Sequence, residues 1–179
     1  MKGFLDIETG GYSVDKNGVC EIAIVAVDKD NNVVDTFQTL IKPYTRANDT
    51  DELVSYKDDA MAVHGITVEQ LIEHGEEVTI ALGKMIAFMI KHNIQTIIGH
   101  NSDKFDIPRI VHLLNRFTEY SIGELRKLDT MILAKDKIQL PSYSLPNLCA
   151  HFGIENKDGH RAVGDSYATF ELYKILINL

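Results

Sequence analysis

The stretch Phe4-Leu5-Asp6-Ile7-Glu8-Thr9-Gly10-Gly11 alternates apolar and acidic residues and then runs into a turn. Alternation with a period of two marks a strand with one buried face, and the paired glycines end it. Two more β-rich stretches follow, Val19 to Asp28 and Val33 to Lys42. The polar Lys29-Asp30-Asn31-Asn32 between them reads as a hairpin turn. Three antiparallel strands in sequence order is the simplest arrangement. Tyr44 to Asp59 is polar and without period, so a long surface loop is expected there.

The pattern then changes to helical spacing. Thr67 with Gln70 forms a capping-box signal opening a short helix. Val78, Leu82, Met85, Ile86, Met89 and Ile90 recur on one face of a longer one. Thr96-Ile97-Ile98 reads as a buried strand ending at Gly99-His100-Asn101. A helix leading into a strand is the signature of a crossover, which adds that strand parallel to a neighbour. Further helices are expected after Asp106 (with Pro108 in the first turn), after Asp129, after Ser144, and from Gly164 to Ile177. The fold class is therefore α/β: three antiparallel strands plus parallel strands in one mixed sheet, flanked by helices.

The 179 residues fit one domain over residues 1–179, with no linker or repeat, and 45% apolar against 25% charged residues is an ordinary globular balance. Apolar runs such as Ile22 to Val27 are too short to span a bilayer, and Asp6 and Glu8 interrupt any secretory signal, so a cytoplasmic location is expected. Cys20 and Cys149 have no metal-ligand spacing and read as buried free thiols. A net charge of −8 excludes broad electrostatic attraction to nucleic acid; binding to such a polymer must be local, with metal ions supplying positive charge.

Three places carry chemistry. Asp6 and Glu8, at i and i+2 on a strand, project from one face while Leu5 and Ile7 take the other. Adjacent carboxylates repel unless a cation lies between them, and hard divalent ions take oxygen ligands of this kind. Alone, such a pair reads more readily as the solvated edge of an amphipathic strand. Asp106 follows the end of a buried strand, where α/β sheets usually hold ligands, although it could simply cap a helix. His160-Arg161-Ala162-Val163-Gly164-Asp165 leads into the last helix. In a continuous helix the five-residue spacing would turn His160 away from Asp165, so Asp158 and Gly159 before it point to a loop or frayed turn at His160.

Together these segments resemble the DnaQ-like 3′–5′ exonucleases, in the subclass defined by four acidic residues and a histidine (DEDDh). The motifs occur in order: Phe4 to Thr9, then His100-Asn101 with Phe105-Asp106, then His160-Arg161-Ala162 with Asp165. Val63-His64-Gly65-Ile66-Thr67 and Leu128-Asp129-Thr130 also look like family segments, so the likeness runs from residue 3 to about 175. A related subclass has tyrosine four residues before the last acid; Arg161 stands there, and the histidine spacing implies histidine-type chemistry. Family members often follow the glutamate with Thr-Thr-Gly, whereas this chain has Thr9-Gly10-Gly11 and then Tyr12.

The resemblance implies a ribonuclease H-like fold. It implies two Mg²⁺ or Mn²⁺ ions held by Asp6, Glu8, Asp106 and Asp165, with His160 as general base. The product would be a nucleoside 5′-monophosphate cut from the 3′ end of single-stranded nucleic acid, DNA in preference to RNA. Thr9, Gly10, Tyr12, His64, Asn101 and Phe105 are the candidate substrate contacts, Tyr12 and Phe105 as stacking surfaces. The chain stops soon after its last helix, so action as a monomer or homodimer is expected, in DNA replication or repair, with a polymerase as a candidate partner docking on its surface. The competing readings are an exoribonuclease trimming short RNA, a catalytically silent nucleic-acid-binding module, and a structural Ca²⁺ site. All four acids and the histidine are present, against the silent module; no EF-hand loop exists, against the last.

Overall fold

A computed structural model describes residues 1–47, 52–156 and 159–179. Asp158, half of the turn signal before His160, lies outside the described residues, as does part of the expected loop between Tyr44 and Asp59. Five strands, β1 (Lys2–Thr9), β2 (Val19–Val27), β3 (Val33–Leu40), β4 (Thr96–Gly99) and β5 (Arg126–Asp129), form one sheet of order β3-β2-β1-β4-β5. β1 pairs antiparallel with β2, and β2 with β3; β4 lies parallel to β1, and β5 parallel to β4. The mixed sheet and the parallel crossover into β4 are as the sequence predicts.

Seven helices accompany the sheet among the described residues: α1 (Asp58–His64), α2 (Val68–His74), α3 (Val78–Lys91), α4 (Asp106–Phe117), α5 (Thr130–Lys137), α6 (Leu145–Phe152) and α7 (Ala162–Leu176). The pleat of β1 separates two cores. Leu5 and Ile7 pack with Leu82, Met85 and Ile110 of α3 and α4. Phe4 packs on the other face with Val25, Ile98, and Phe170 and Tyr173 of α7. Side chains alternate along a strand, so Asp6 and Glu8 share the face of Phe4 and look toward α7.

Several boundaries differ from expectation. α1 occupies the end of the stretch expected to be loop; it is only seven residues long and buries only His64, too little to show a period. Its ends are nonetheless marked, by Asp58 and Asp59 in the first turn and by left-handed Gly65 after the last. β5 was invisible because Arg126-Lys127-Leu128-Asp129 is an edge strand without alternation. α7 begins at Ala162 rather than Gly164. Ile90, expected on the inner face of α3, is 63% exposed: the face rotates away from the sheet at the last turn. The capping box is present, with Thr67 Oγ1 accepting from Gln70 N and Gln70 Oε1 from Thr67 N. Both cysteines are buried and free.

Candidate active site

β4 pairs with β1 only as far as Phe4. Beyond that point the edge of β1 is open, and α4 begins beside it. There Ile7 N–H donates to Asp106 Oδ1 at 3.1 Å, so the first helical residue of α4 completes the hydrogen bonding of a strand nearly a hundred residues earlier. From the other side α7 brings Asp165. One carboxylate oxygen from each of Asp6, Glu8 and Asp165 lies within 4.8 Å of the others. Asp106 is not in that trio, yet after burial its charge is the largest influence on Asp6.

The electrostatic strain in this group is severe. Burial, with the charges of Asp106, Glu8 and Asp165, pushes the Asp6 carboxyl well above the usual carboxylate range. Burial and the charges of Asp165, Glu21 and Asp106 push Glu8 up to about 8. Burial lifts Asp106 to about 7, against the opposing pull of the Ile7 N–H and of Arg109. Buried acids crowded from three segments are a donor set for a hard divalent cation, which would replace the missing counter-charge.

Asp165 is held by the chain just before α7, accepting from Asn156 Nδ2 at 2.6 Å and from His160 N at 3.2 Å. His160 is exposed, sits outside the helix as its spacing predicts, and has a left-handed φ of 65°. A non-glycine residue in that conformation stores strain of the kind found at functional sites. Of the two histidines, His64 lines the cavity beside the acids and His160 does not.

Beside the acids is a cavity of about 160 Å³ lined by Glu8, Thr9, Gly11, Tyr12, His64 and Phe105, with Lys57, Asp59, Ala60 and Val63 of and before α1. Tyr12 is 81% exposed and meets Phe105 edge-on, with ring centroids 6.2 Å apart. His64 Nδ1 accepts from Ile66 N at 3.1 Å, which puts the proton of the neutral ring on Nε2, facing Thr9 O at 3.4 Å. Burial holds His64 below the ordinary histidine range.

Four of the six expected substrate contacts, Thr9, Tyr12, His64 and Phe105, therefore line one cavity. The other two do not. Gly10 is absent from the lining because its main chain is used internally: its N–H donates to Gly18 O at 2.8 Å and its carbonyl accepts from Lys57 N at 2.9 Å. A side chain there would collide with Tyr56, whose Cδ1 would lie 2.5 Å from the added Cβ. Asn101 is also absent; it takes a left-handed φ of 57° in the turn after β4, and its N–H donates to Asp129 Oδ1 at 2.8 Å.

Two groups were missed in the sequence. Glu21 of β2, directly opposite Glu8 in the ladder, is completely buried. It accepts from Arg161 Nη2 (2.6 Å) and Nε (3.1 Å), Gln38 Nε2 (2.6 Å) and Ala162 N (2.9 Å). These bonds outweigh its burial and hold it below the usual carboxylate range. The signal was a single acid in the otherwise apolar strand Val19–Val27. The second is Arg109 on the buried side of α4, three residues after Asp106.

A mixed sheet carrying crowded acids, half-buried at Asp6, Glu8 and Asp165 and buried at Asp106, beside an aromatic-walled cavity, has the donor set that metal-assisted phosphodiester cleavage uses. Residues 4–173 match the model of the RNase T family, described as Exonuclease, and the chain belongs to that family. The epsilon subunit of DNA polymerase III from Aquifex aeolicus is 26% identical over 180 residues, covering 98% of this chain and 80% of that protein. A PolC-type DNA polymerase III from Thermotoga petrophila is 27% identical over 169 residues, 94% of this chain but only 11% of that much longer protein. The crystal structure of E. coli exonuclease I in complex with a dT13 oligonucleotide superposes with a TM-score of 0.81 at 22% identity, covering 98% of this chain and 40% of that one. The fold is thus shared with ribonuclease H-like exonucleases. Among the described residues no helix is long and apolar enough to cross a membrane.

Proposed function

We propose that this chain is a metal-dependent 3′–5′ exonuclease that removes nucleoside 5′-monophosphates from single-stranded DNA. The observation that carries the proposal is the convergence of Asp6, Glu8 and Asp165 within 4.8 Å, with Asp106 beside them and Glu8 also lining a cavity walled by Tyr12 and Phe105. Asp6, Glu8, Asp106 and Asp165 would hold two divalent ions, Mg²⁺ or Mn²⁺. When bound, such ions lower the pKa of water and stabilise the departing oxygen of an in-line displacement. His160, on its loop before α7, takes the proton of the attacking water. Tyr12 and Phe105 offer ring faces to a terminal base, and Thr9 and His64 close the floor of the slot.

Stacking requires an unpaired base, and an oligonucleotide-bound exonuclease I of the same fold supports single-stranded DNA as the substrate. A zinc-bound form of exonuclease I with single-stranded DNA is also among the solved relatives, in keeping with a divalent cation at this acidic cluster. The names of the polymerase III relatives support a place in DNA replication or repair, with a polymerase as partner. Incubation with 5′-labelled single-stranded DNA and RNA, in Mg²⁺, Mn²⁺ or EDTA, tests the reading. A ladder shortening one nucleotide at a time from the 3′ end of DNA, abolished by EDTA, is expected. Shortening from the 5′ end, preference for RNA, or activity in EDTA would overturn it.

A further inference from the structure

Arg109 is 4% exposed and lies outside the cavity lining, yet it touches both walls of the slot from behind. Its Nη1 donates to Phe105 O at 2.8 Å; its Nη2 donates to Tyr12 O at 2.6 Å and to Gly11 O at 3.3 Å. The guanidinium carbon also sits 3.7 Å from the centroid of the Phe105 ring. One side chain thus bonds to the turn after β1, stacks on the ring before α4, and ties Tyr12 to Phe105. The planar fork places separate donors, Nη1 and Nη2, toward different segments while its face stacks on the Phe105 ring; an ammonium concentrates its three donors on one atom and has no face to stack.

The arrangement is costly as a purely structural device. Arg109 Nε is buried without a hydrogen-bond partner, and desolvation pulls the guanidinium below its ordinary range. An apolar residue of similar volume would fill this position without either penalty. The turn it grips is shared with Thr9, whose Oγ1 donates to Gly11 O at 3.0 Å, but only Arg109 ties it across to Phe105. Thr9-Gly10-Gly11 lacks the second threonine side chain, and Gly11 adopts a φ of 147°. Asn17 holds the far side of the turn through Ser13 N, at 2.9 Å.

We infer that Arg109 is a positioning residue that fixes the edge-on arrangement of Tyr12 and Phe105, and through it the stacking surface offered to the unpaired terminal base of the substrate. The inference rests on the proposed nuclease function, and its test is built to fail separately. Arg109→Gln and Arg109→Lys are compared with the wild-type chain on two substrates: a single-stranded oligonucleotide, and bis(4-nitrophenyl) phosphate, a diester with no base to grip. Both variants should raise KM for the oligonucleotide at least about tenfold, a difference of about 1.4 kcal/mol. Arg109→Lys, which keeps the positive charge that Asp106 feels, decides the metal arm of the test: it should retain Mn²⁺ affinity and hydrolyse the small diester within about threefold of wild type. A phosphorothioate oligonucleotide bound in Ca²⁺, followed by fluorescence anisotropy, should show the same loss as Kd without turnover. Tyr12→Ala, at an exposed position, should weaken binding similarly, and the double variant with Arg109→Lys should be no worse than the weaker single. Additive losses, an unchanged KM, or a parallel fall in small-diester hydrolysis and Mn²⁺ affinity would overturn the inference; the last would mean that Arg109 serves Asp106 instead. A wild-type chain that binds the oligonucleotide through this slot but does not shorten it would sink the nuclease reading and leave the role of Arg109 standing.

Discussion

Replacing Arg161 with methionine should uncover the charge hidden beneath the candidate site. Glu21 is fully buried in β2 and accepts four hydrogen bonds, two of them from Arg161 at 2.6 and 3.1 Å. Methionine keeps the apolar stem but removes both donors, leaving Gln38 and the Ala162 N–H with a carboxylate that stands opposite Glu8. Two charge-assisted bonds at about 1.5 kcal/mol each, the low end because the Arg161 side chain is 41% exposed, come to about 3 kcal/mol. For a chain of this size that is a fall of about 6–12 °C in Tm. Urea unfolding at pH 7 measures it, with an unchanged m-value showing that the same surface is exposed. The pH dependence identifies the cause. In the wild type Glu21 titrates below its ordinary 4.5, so its stabilising contribution is present above that pH and fades as pH falls through the folded value. The variant's deficit should therefore shrink once both proteins are acidified enough to protonate Glu21. A deficit below about 1 kcal/mol at pH 7, or one that persists undiminished in acid, would refute the buried-charge account.

Three further outcomes are expected. His160→Ala should lower the rate by about 10² to 10⁴ while Mn²⁺ affinity, measured by calorimetry, stays within about twofold of wild type; Asp6→Asn should weaken both. Because the folded pKa of Glu8 is raised from 4.5 to about 8, the stability it permits in acid is lost as pH rises through that range, so the metal-free protein should melt lower at pH 8 than at pH 6. Mn²⁺ should stabilise more at the higher pH, and a metal-induced shift that is flat with pH would contradict the crowding of the acids. Gly11→Ala should cost about 2 kcal/mol in urea unfolding, since its φ is 147° and the new Cβ would lie 2.6 Å from Asn17 Oδ1; a cost under about 0.5 kcal/mol would show that the turn relaxes.

The parts of the fold that were legible in the sequence are those where one face is buried and the other is not. β1, α3 and α4 each bury an apolar stripe, and a stripe has a period; β2, buried along its whole length, is legible instead as a continuous β-rich apolar run. α1 and β5 bury one residue each, so neither could show one. In the candidate site, Asp6 and Glu8 were readable because a strand places i and i+2 together, whatever the rest of the chain does. The approach of Asp106 and Asp165 depended on β4 joining β1 and on α7 packing over Phe4, which spacing alone does not contain. Arg109 was unreadable for a different reason. Its partners are main-chain carbonyls of Phe105, Gly11 and Tyr12, and carbonyls have no sequence signature.

The net charge of −8 and a nucleic-acid substrate are compatible because of where the cations are used. Arg109, buried, and Arg161, half-exposed, are bonded to the turn after β1 and to Glu21. Neither is free to meet a phosphate as a general attractant. Lys57 lines the cavity, but beside it stands a group of acids whose crowding and burial push Asp6, Glu8 and Asp106 above the usual carboxylate range. Such a site has little affinity for an anionic polymer until cations enter it, and cations enter it more readily as pH rises and the carboxyls lose their protons. Binding of substrate and loading of metal should thus be coupled, each needing the other's charge. Oligonucleotide affinity should accordingly track divalent ion concentration far more steeply than it tracks monovalent salt, the reverse of a protein that binds nucleic acid through a basic surface.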